Sequence, residues 1–221
     1  GDSEMAEGSM WEAFEQAAFL ELDNLTAIIT VADDGGSSGR LREEMGVLPP
    51  GDFRNCLVAM SEAESVLTDL FQHRFKQGNG LKGHSFGNLF IVAMSEITNS
   101  FEQALTESSR VLAVHGRVLP ATLANLRLRA RFTDGETVDG ESHIAERRGE
   151  IERLLIDPAD AQASPMAIQA IEEADICFLL MDVNELNVAL DQKLAGMISE
   201  AGKGLVLTVS KWDSVMEKDA Y

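Results

Sequence analysis

The spacing of apolar and polar positions divides the chain into alternating helices and strands. Apolar residues at Trp11, Phe14, Ala18, Phe19 and Leu22 recur at helical spacing and predict an amphipathic helix, closed by Asp23-Asn24. The apolar run Leu25–Val31 predicts a buried strand. Ser37-Ser38 offers an N-cap, so a helix is expected to follow. Pro49-Pro50-Gly51 breaks the chain, and a second helix is expected from Asp52 through Cys56, Leu57, Val58 and Met60. Val66–Phe75 and Phe86–Ile97 predict two more helices, separated by the glycine-rich loop Gln77–Gly83. Arg110–His115 and Leu126–Phe132 read as strands, with Asp134-Gly135 as a hairpin turn and Thr137–Ile144 as the returning strand. Glu150–Ile156 reads as a strand and Pro165–Ala174 as a helix with proline in its first turn. Ile176–Met181, Leu190–Ala201 and Leu205–Val209 complete a strand–helix–strand unit. Strands alternating with helices of these lengths predict an α/β fold: a mainly parallel central sheet, helices on both faces, and a small β-rich insertion over residues 110–156.

Charge changes this picture in one respect. The chain has 221 residues, 18 of them Lys or Arg and 37 Asp or Glu, for a formal charge of −19. Such a surface repels nucleic acid and anionic membranes. An anionic ligand therefore needs a local positive site, which gives weight to the basic residues beside glycines: Arg40, Arg42, Arg54, Lys82 and Arg117. The two cysteines, Cys56 and Cys177, lie far apart in apolar segments and read as reduced core thiols. No apolar run is long enough to cross a bilayer, and residues 1–10 are acidic and unlike a signal peptide, so a cytoplasmic location is expected.

The chemistry concentrates in three loops. Asp33-Asp34 follows the first strand and precedes Gly35-Gly36-Ser37-Ser38-Gly39. Adjacent acids also serve as turn residues, but here they stand where open α/β sheets bind ligands. They could hold a divalent ion such as Mg²⁺ or bind a substrate hydroxyl. The glycine-rich turn exposes N–H groups that can cradle phosphate at a helix N-terminus. Arg54, followed by Asn55, offers a planar donor fork after the double proline. Lys82-Gly83-His84-Ser85-Phe86-Gly87-Asn88 gathers donors at another helix start. Ser85 with His84 as a nucleophile–base pair lacks the GxSxG context, so anion or substrate contact is the better reading. Ser210-Lys211-Trp212-Asp213 could read a guanine base, but the chain contains no GxxxxGK[ST] phosphate loop.

Five blocks in order, ITVADDGGSSGRLR, LPPGDFRNCLVAMS, LKGHSFGNLFIVAM, GRVLPATLANLRLRARFTDG and GESHI, resemble the gluconeogenesis factor (YvcK-like) family of the CofD-like superfamily over about residues 25–175. The resemblance implies a Rossmann-like fold, a nucleotide sugar of the UDP-N-acetylglucosamine type as ligand, and a regulatory role in carbon metabolism and cell-wall or cell-shape control. The enzyme relatives transfer phospholactate onto a deazaflavin precursor, and in them the residues matching Asp34 and Arg54 contact the acceptor. A Mg-dependent transferase is therefore the alternative reading. The ligand-binding set is Asp33, Asp34, Gly36, Ser37, Ser38, Gly39, Arg54, Asn55, Lys82, His84 and Asn88, with Asp33 and Asp34 as the metal candidates. The family's GGGTG loop should precede Leu25, yet residues 11–24 contain no glycine. From about Ile171, the stretches IEEADICFLLMDVNE, DQKLAGMISEAGKG and LVLTVSKWD resemble the second GTPase domain of EngA/Der, with Lys211 and Asp213 as guanine-binding candidates and Ser210 in place of that family's asparagine. Three parts are thus expected: a leader and helix at 1–24, an incomplete α/β domain at 25–175, and a GTPase-like graft at 176–221 packed into the same sheet. As a chimera with two incomplete sites, the chain could also lack function. Expected partners are a nucleotide sugar or another phosphorylated small molecule, without nucleic acid or membrane insertion, and with a homodimer left open.

Overall fold

A computed structural model describes residues 8–62, 65–147, 149–182 and 189–210. The chain opens with α1 (Gly8–Phe19), β1 (Thr26–Ile29), α2 (Gly36–Met45) and α3 (Gly51–Ala59). Four further elements are α4 (Ser65–Gln72), α5 (Phe86–Thr98), α6 (Phe101–Val111) and β2 (Arg117–Pro120), the last lying parallel to β1 with Thr26 opposite Arg117. β3 (Arg127–Phe132) pairs antiparallel with both β4 (Thr137–Asp139) and β5 (Ile151–Asp157), and α7 (Glu141–Arg147) packs on β3 and β4. The chain continues through α8 (Pro165–Glu173), β6 (Ile176–Asp182), α9 (Ala189–Glu200) and β7 (Gly204–Ser210), with β6 and β7 parallel. The fold is α/β, with parallel strand pairs and covering helices.

The main core lies between β1–β2 and the helices α3 to α6. Phe53, Cys56, Leu57, Phe71, Ile91, Leu105 and Leu112 are buried in it, and the Phe53 and Phe101 rings meet edge to face at 5.0 Å. Cys56 is fully buried, and the low polarity of its surroundings pushes its thiol pKa well up, as expected of a packing residue. A second, smaller core of Ala130, Phe132 and Ile144 joins α7 to the antiparallel strands.

Three local expectations are corrected. Arg110–His115 is not a strand: its first residues complete α6, where Leu105, Ser108 and Leu112 fall on one buried face and Ser100 caps the start. The strand sits instead at Arg117–Pro120. The returning strand over Thr137–Ile144 stops at Asp139, because Gly140 takes φ +94° and α7 begins at Glu141. The parallel strands also form two separate pairs: among the described residues no backbone ladder joins β6–β7 to β1–β2.

One electrostatic tie pins β1's approach to β2. His115, just before β2, bonds Asp23 through Nδ1 (2.8 Å) and Glu62 through Nε2 (3.1 Å). These two hydrogen bonds raise the imidazole pKa above its ordinary 6.5. A raised folded-state value means the stabilisation is complete below the unfolded value and is lost as pH rises through the folded one. His115→Gln is therefore expected to lower the melting temperature most below pH 6.5, with the gap to wild type closing at alkaline pH; a pH-independent gap would contradict the tie.

Candidate functional site

The site is built where three helices begin. α2 starts directly after the strand-end segment 31–35, α3 starts after Pro49-Pro50, and α5 starts after the glycine-rich loop. None of the three is capped by the side chain of its own N-cap residue, Gly35, Pro50 or Ser85. The first-turn N–H groups and the positive ends of the helix dipoles are thus left to other partners.

Side chains tie these starts together. Arg54 of α3 donates from Nε to Oδ1 of Asn88 on α5 (2.9 Å), and Asn88 donates from Nδ2 to Ser38 Oγ on α2 (3.3 Å). Ser37 Oγ accepts from the backbone N–H of Ser85 (3.3 Å) and lies 3.1 Å from Nδ1 of His84. Ser37, Ser38, Arg54, His84 and Asn88 are all buried. Burial, reinforced by Arg40, holds the His84 pKa below 6.5, so the ring is neutral at pH 7. Burial and the field of Arg74 bring Arg54 down to about 10, partly offset by Asp52 and Asp33, and it stays charged at neutral pH.

The two adjacent acids part company. Asp33 Oδ1 accepts from the Gly35 N–H (2.9 Å), closing a turn on itself. Its Oδ2 faces Gly51 so closely that a Cβ there would lie 2.6 Å from it and 2.5 Å from Ser38 Oγ, so α3 must begin with glycine. Asp34 leans the other way: its Oδ1 accepts from both the N–H (2.9 Å) and the hydroxyl (2.7 Å) of Ser142 on α7. That carboxylate fastens the antiparallel module to the body. Gly36 is exposed at the start of α2, and Gly39 is buried against the Asp34 carbonyl. Asn55 and Lys82 join none of these bonds, Asn55 half-buried on α3 and Lys82 exposed in its turn. Lys211 and Asp213 lie outside the described residues.

Two participants escaped the sequence reading of the site, and a third, Arg42, has another role than the anion contact expected of it. Buried Arg42 donates to the carbonyls of Asp33 (3.4 Å), Ala32 (3.5 Å) and Leu126, so it fixes the strand-end segment rather than a ligand. Ser142 and half-buried Glu141 come from the module. Burial and the negative fields of Asp33, Asp52 and Asp34 push the Glu141 carboxyl up to about 7. Only the word GESHI, far downstream in the chain, carried a signal for them.

Asp33 and Asp34 form no complete protein metal site among the described residues. Asp33 and Asp34 each commit an oxygen to a protein donor, and among the described residues no three Asp, Glu, His or Cys residues are placed to hold a metal. No step is derived through one.

With this geometry in place, known proteins can be compared. The profile of the family described as 2-phospho-L-lactate transferase CofD matches residues 6–180. The chain belongs to this CofD family. The match begins upstream of Leu25 and so takes in α1 and β1 together. A putative gluconeogenesis factor from Nostoc is 60% identical over 152 residues, covering 69% of this chain and 33% of the relative. The gluconeogenesis factor of Bacillus subtilis is 51% identical over 156 residues, covering 71% and 49%. The chain therefore spans a third to a half of the length of these relatives. The crystal structure of protein BH3568 from Bacillus halodurans superposes with a TM-score of 0.77 at 40% identity, over 87% of this chain and 64% of that one. Among the described residues no helix is long and apolar enough to cross a membrane.

Two outcomes follow from the acids. Gly140 has φ +94°, and a Cβ there would lie 2.3 Å from Asp34 Oδ2, so Gly140→Ala is expected to cost about 2 kcal/mol and to detach α7, read as faster amide exchange over 141–147. The raised Glu141 value means the folded chain holds an extra proton between about pH 4.5 and 7, and that stabilisation is lost as pH rises through about 7. Glu141→Gln is expected to raise the melting temperature relative to wild type above pH 7, with the advantage shrinking toward pH 4.5; an advantage independent of pH would contradict the assignment.

Proposed function

We propose that the chain is a nucleotide-sugar-binding protein of the gluconeogenesis-factor type, regulatory rather than catalytic. Its ligand is of the UDP-N-acetylglucosamine class, and its role lies in carbon metabolism and cell-shape control. The observation that carries the reading is Arg54: a buried guanidinium, hydrogen-bonded to Asn88 where three helix starts meet, without an ion pair among the described residues. Helix starts of this kind favour phosphate, and a planar donor fork suits it. Membership of the CofD family and 45–60% identity to proteins named gluconeogenesis factors support the gluconeogenesis-factor type.

The bonding of Asp34 favours the regulatory branch over a transferase. Its Oδ1 takes two hydrogen bonds from Ser142, so the carboxylate acts as a fastener and is poorly free to work as a base. Binding then consists of anchoring the phosphates at the helix starts, with the antiparallel module held alongside by Asp34.

Calorimetry with UDP-N-acetylglucosamine tests the reading. Wild type is expected to bind, and Arg54→Gln to weaken binding by about tenfold or more, the size of a charge-assisted hydrogen bond. A melting curve confirms that the variant folds. No heat with wild type, or equal affinities, would overturn the reading. Turnover of a deazaflavin acceptor by wild type would instead favour the transferase.

A further inference from the structure

Between Leu70 and Ser95 the chain contains no Asp or Glu, although 37 acidic residues are spread over the 221. The same stretch carries His73, Arg74, Lys76, Lys82 and His84. Folding adds Arg40 from α2 to this basic loop. Arg40 Nη2 approaches Gly83 so closely that a Cβ there would lie 3.0 Å from it, and Gly83, at φ +84°, has no side chain to obstruct the approach. Arg74 reaches the same residue, donating from Nη1 to the Gly83 carbonyl (3.3 Å). Two guanidinium groups thus converge on one glycine.

Neither has a carboxylate partner among the described residues: Arg40 is bonded only to the Gly36 carbonyl (3.4 Å) and Arg74 only to Gly83. This is unusual in so acidic a chain, since converging like charges repel unless an anion lies between them. The helix starts are different, because there Arg54 has Asp52 and Asp33 in its field. Around Gly83, Glu44 of α2 is the acid that faces His84, and it pairs with neither arginine. Gly83 adjoins the helix starts directly, since it precedes His84, and His84 contacts Ser37 at the start of α2.

We propose that Arg40 and Arg74, both at Gly83, with Lys82 beside it, form a second anion subsite, so that the site takes a ligand with two linked anionic groups, a diphosphate, in preference to a monophosphate. One phosphoryl group lies at the helix starts over Arg54 and the other in the arginine fork. The proposal rests on the ligand-binding reading above and adds these residues and the discrimination between one phosphate and two. Each guanidinium offers a phosphate two parallel donors, and neither must first break a salt bridge to do so.

The test is calorimetry on the full chain with inorganic phosphate, pyrophosphate and UDP-N-acetylglucosamine. The proteins are wild type, Arg40→Gln/Arg74→Gln, Arg40→Lys/Arg74→Lys and Arg54→Gln, with melting curves as folding controls. Wild type is expected to bind pyrophosphate and the nucleotide sugar at least about tenfold more tightly than phosphate. The double glutamine variant is expected to lose that preference while keeping its phosphate affinity, and to show a shallower dependence of affinity on salt. The double lysine variant recovers charge without the planar fork and is expected to fall between them. Equal loss for all three ligands in the double glutamine variant, or no loss, would overturn the subsite. If Arg54→Gln abolishes nucleotide-sugar binding while the double glutamine variant matches wild type, the subsite fails and the ligand-binding reading stands. No binding of any of the three by wild type overturns both.

Discussion

The hydrogen-bonded line from Arg54 through Asn88 to Ser38 is the constraint on which the rest of the site depends. It joins α3, α5 and α2 at their first turns, where no helix is capped by the side chain of its own N-cap residue. A buried guanidinium is costly unless its donors are used, and here the structure supplies Asn88 Oδ1 as acceptor and the negative fields of Asp52 and Asp33. The packing underneath makes this possible. Phe53, next to Arg54, fixes α3 in the core against Phe101, and Phe71 packs near both Phe86 and Phe90 at the start of α5. Aromatic contacts therefore hold the backbone from which the polar network projects.

The acid pair after β1 divides its work between body and module. Asp33 stays with the body, closing its own turn and lying against the glycine that opens α3. Asp34 binds the module through Ser142 and thereby brings Glu141 beside the other carboxylates. The site is acidic on the module side, at Asp34 and Glu141, and basic where Arg40 and Arg74 approach Gly83. A polar gradient of this kind orients a ligand that has a charged end and a hydroxyl-rich end. Sugar hydroxyls suit the carboxylates, and phosphates suit the arginines.

Much of this was legible in the sequence, for identifiable reasons. Helical spacing and prolines placed α3, α5 and α8 near their true bounds, because those signals are local, whereas the cap expected at Ser37-Ser38 is corrected: both serines lie inside α2, whose N-cap is Gly35. The strand over Arg110–His115 was misread because a β-branched, apolar end of a helix looks like a strand when the buried face set by Leu105 and Ser108 is not considered. The extent of β4 was misread because the event that ends it, Ser142 binding Asp34, spans more than a hundred residues of sequence. Ser37, Ser38, Arg54, His84 and Asn88 were recoverable because polar residues in glycine-rich helix starts carry a physical reason to be there. Their pairing was not recoverable, since sequence spacing says nothing about which loop faces which. Arg42 was selected for its charge and turned out to serve the backbone, while Arg74 gave no motif signal and acquires its role only when α2 brings Arg40 to Gly83.

The central claim is that three helix starts share one anion around Arg54. The most direct measurement is a pyrophosphate titration followed by ¹⁵N-resolved NMR on the backbone amides of Ser37, Ser38, Asp52, Phe53, Gly87 and Asn88, together with the Arg54 Nε–H. The account predicts that amides from all three helices and the guanidinium shift along one binding curve with a single dissociation constant. Shifts confined to one helix, or an Arg54 signal that stays in place while the others move, would contradict it.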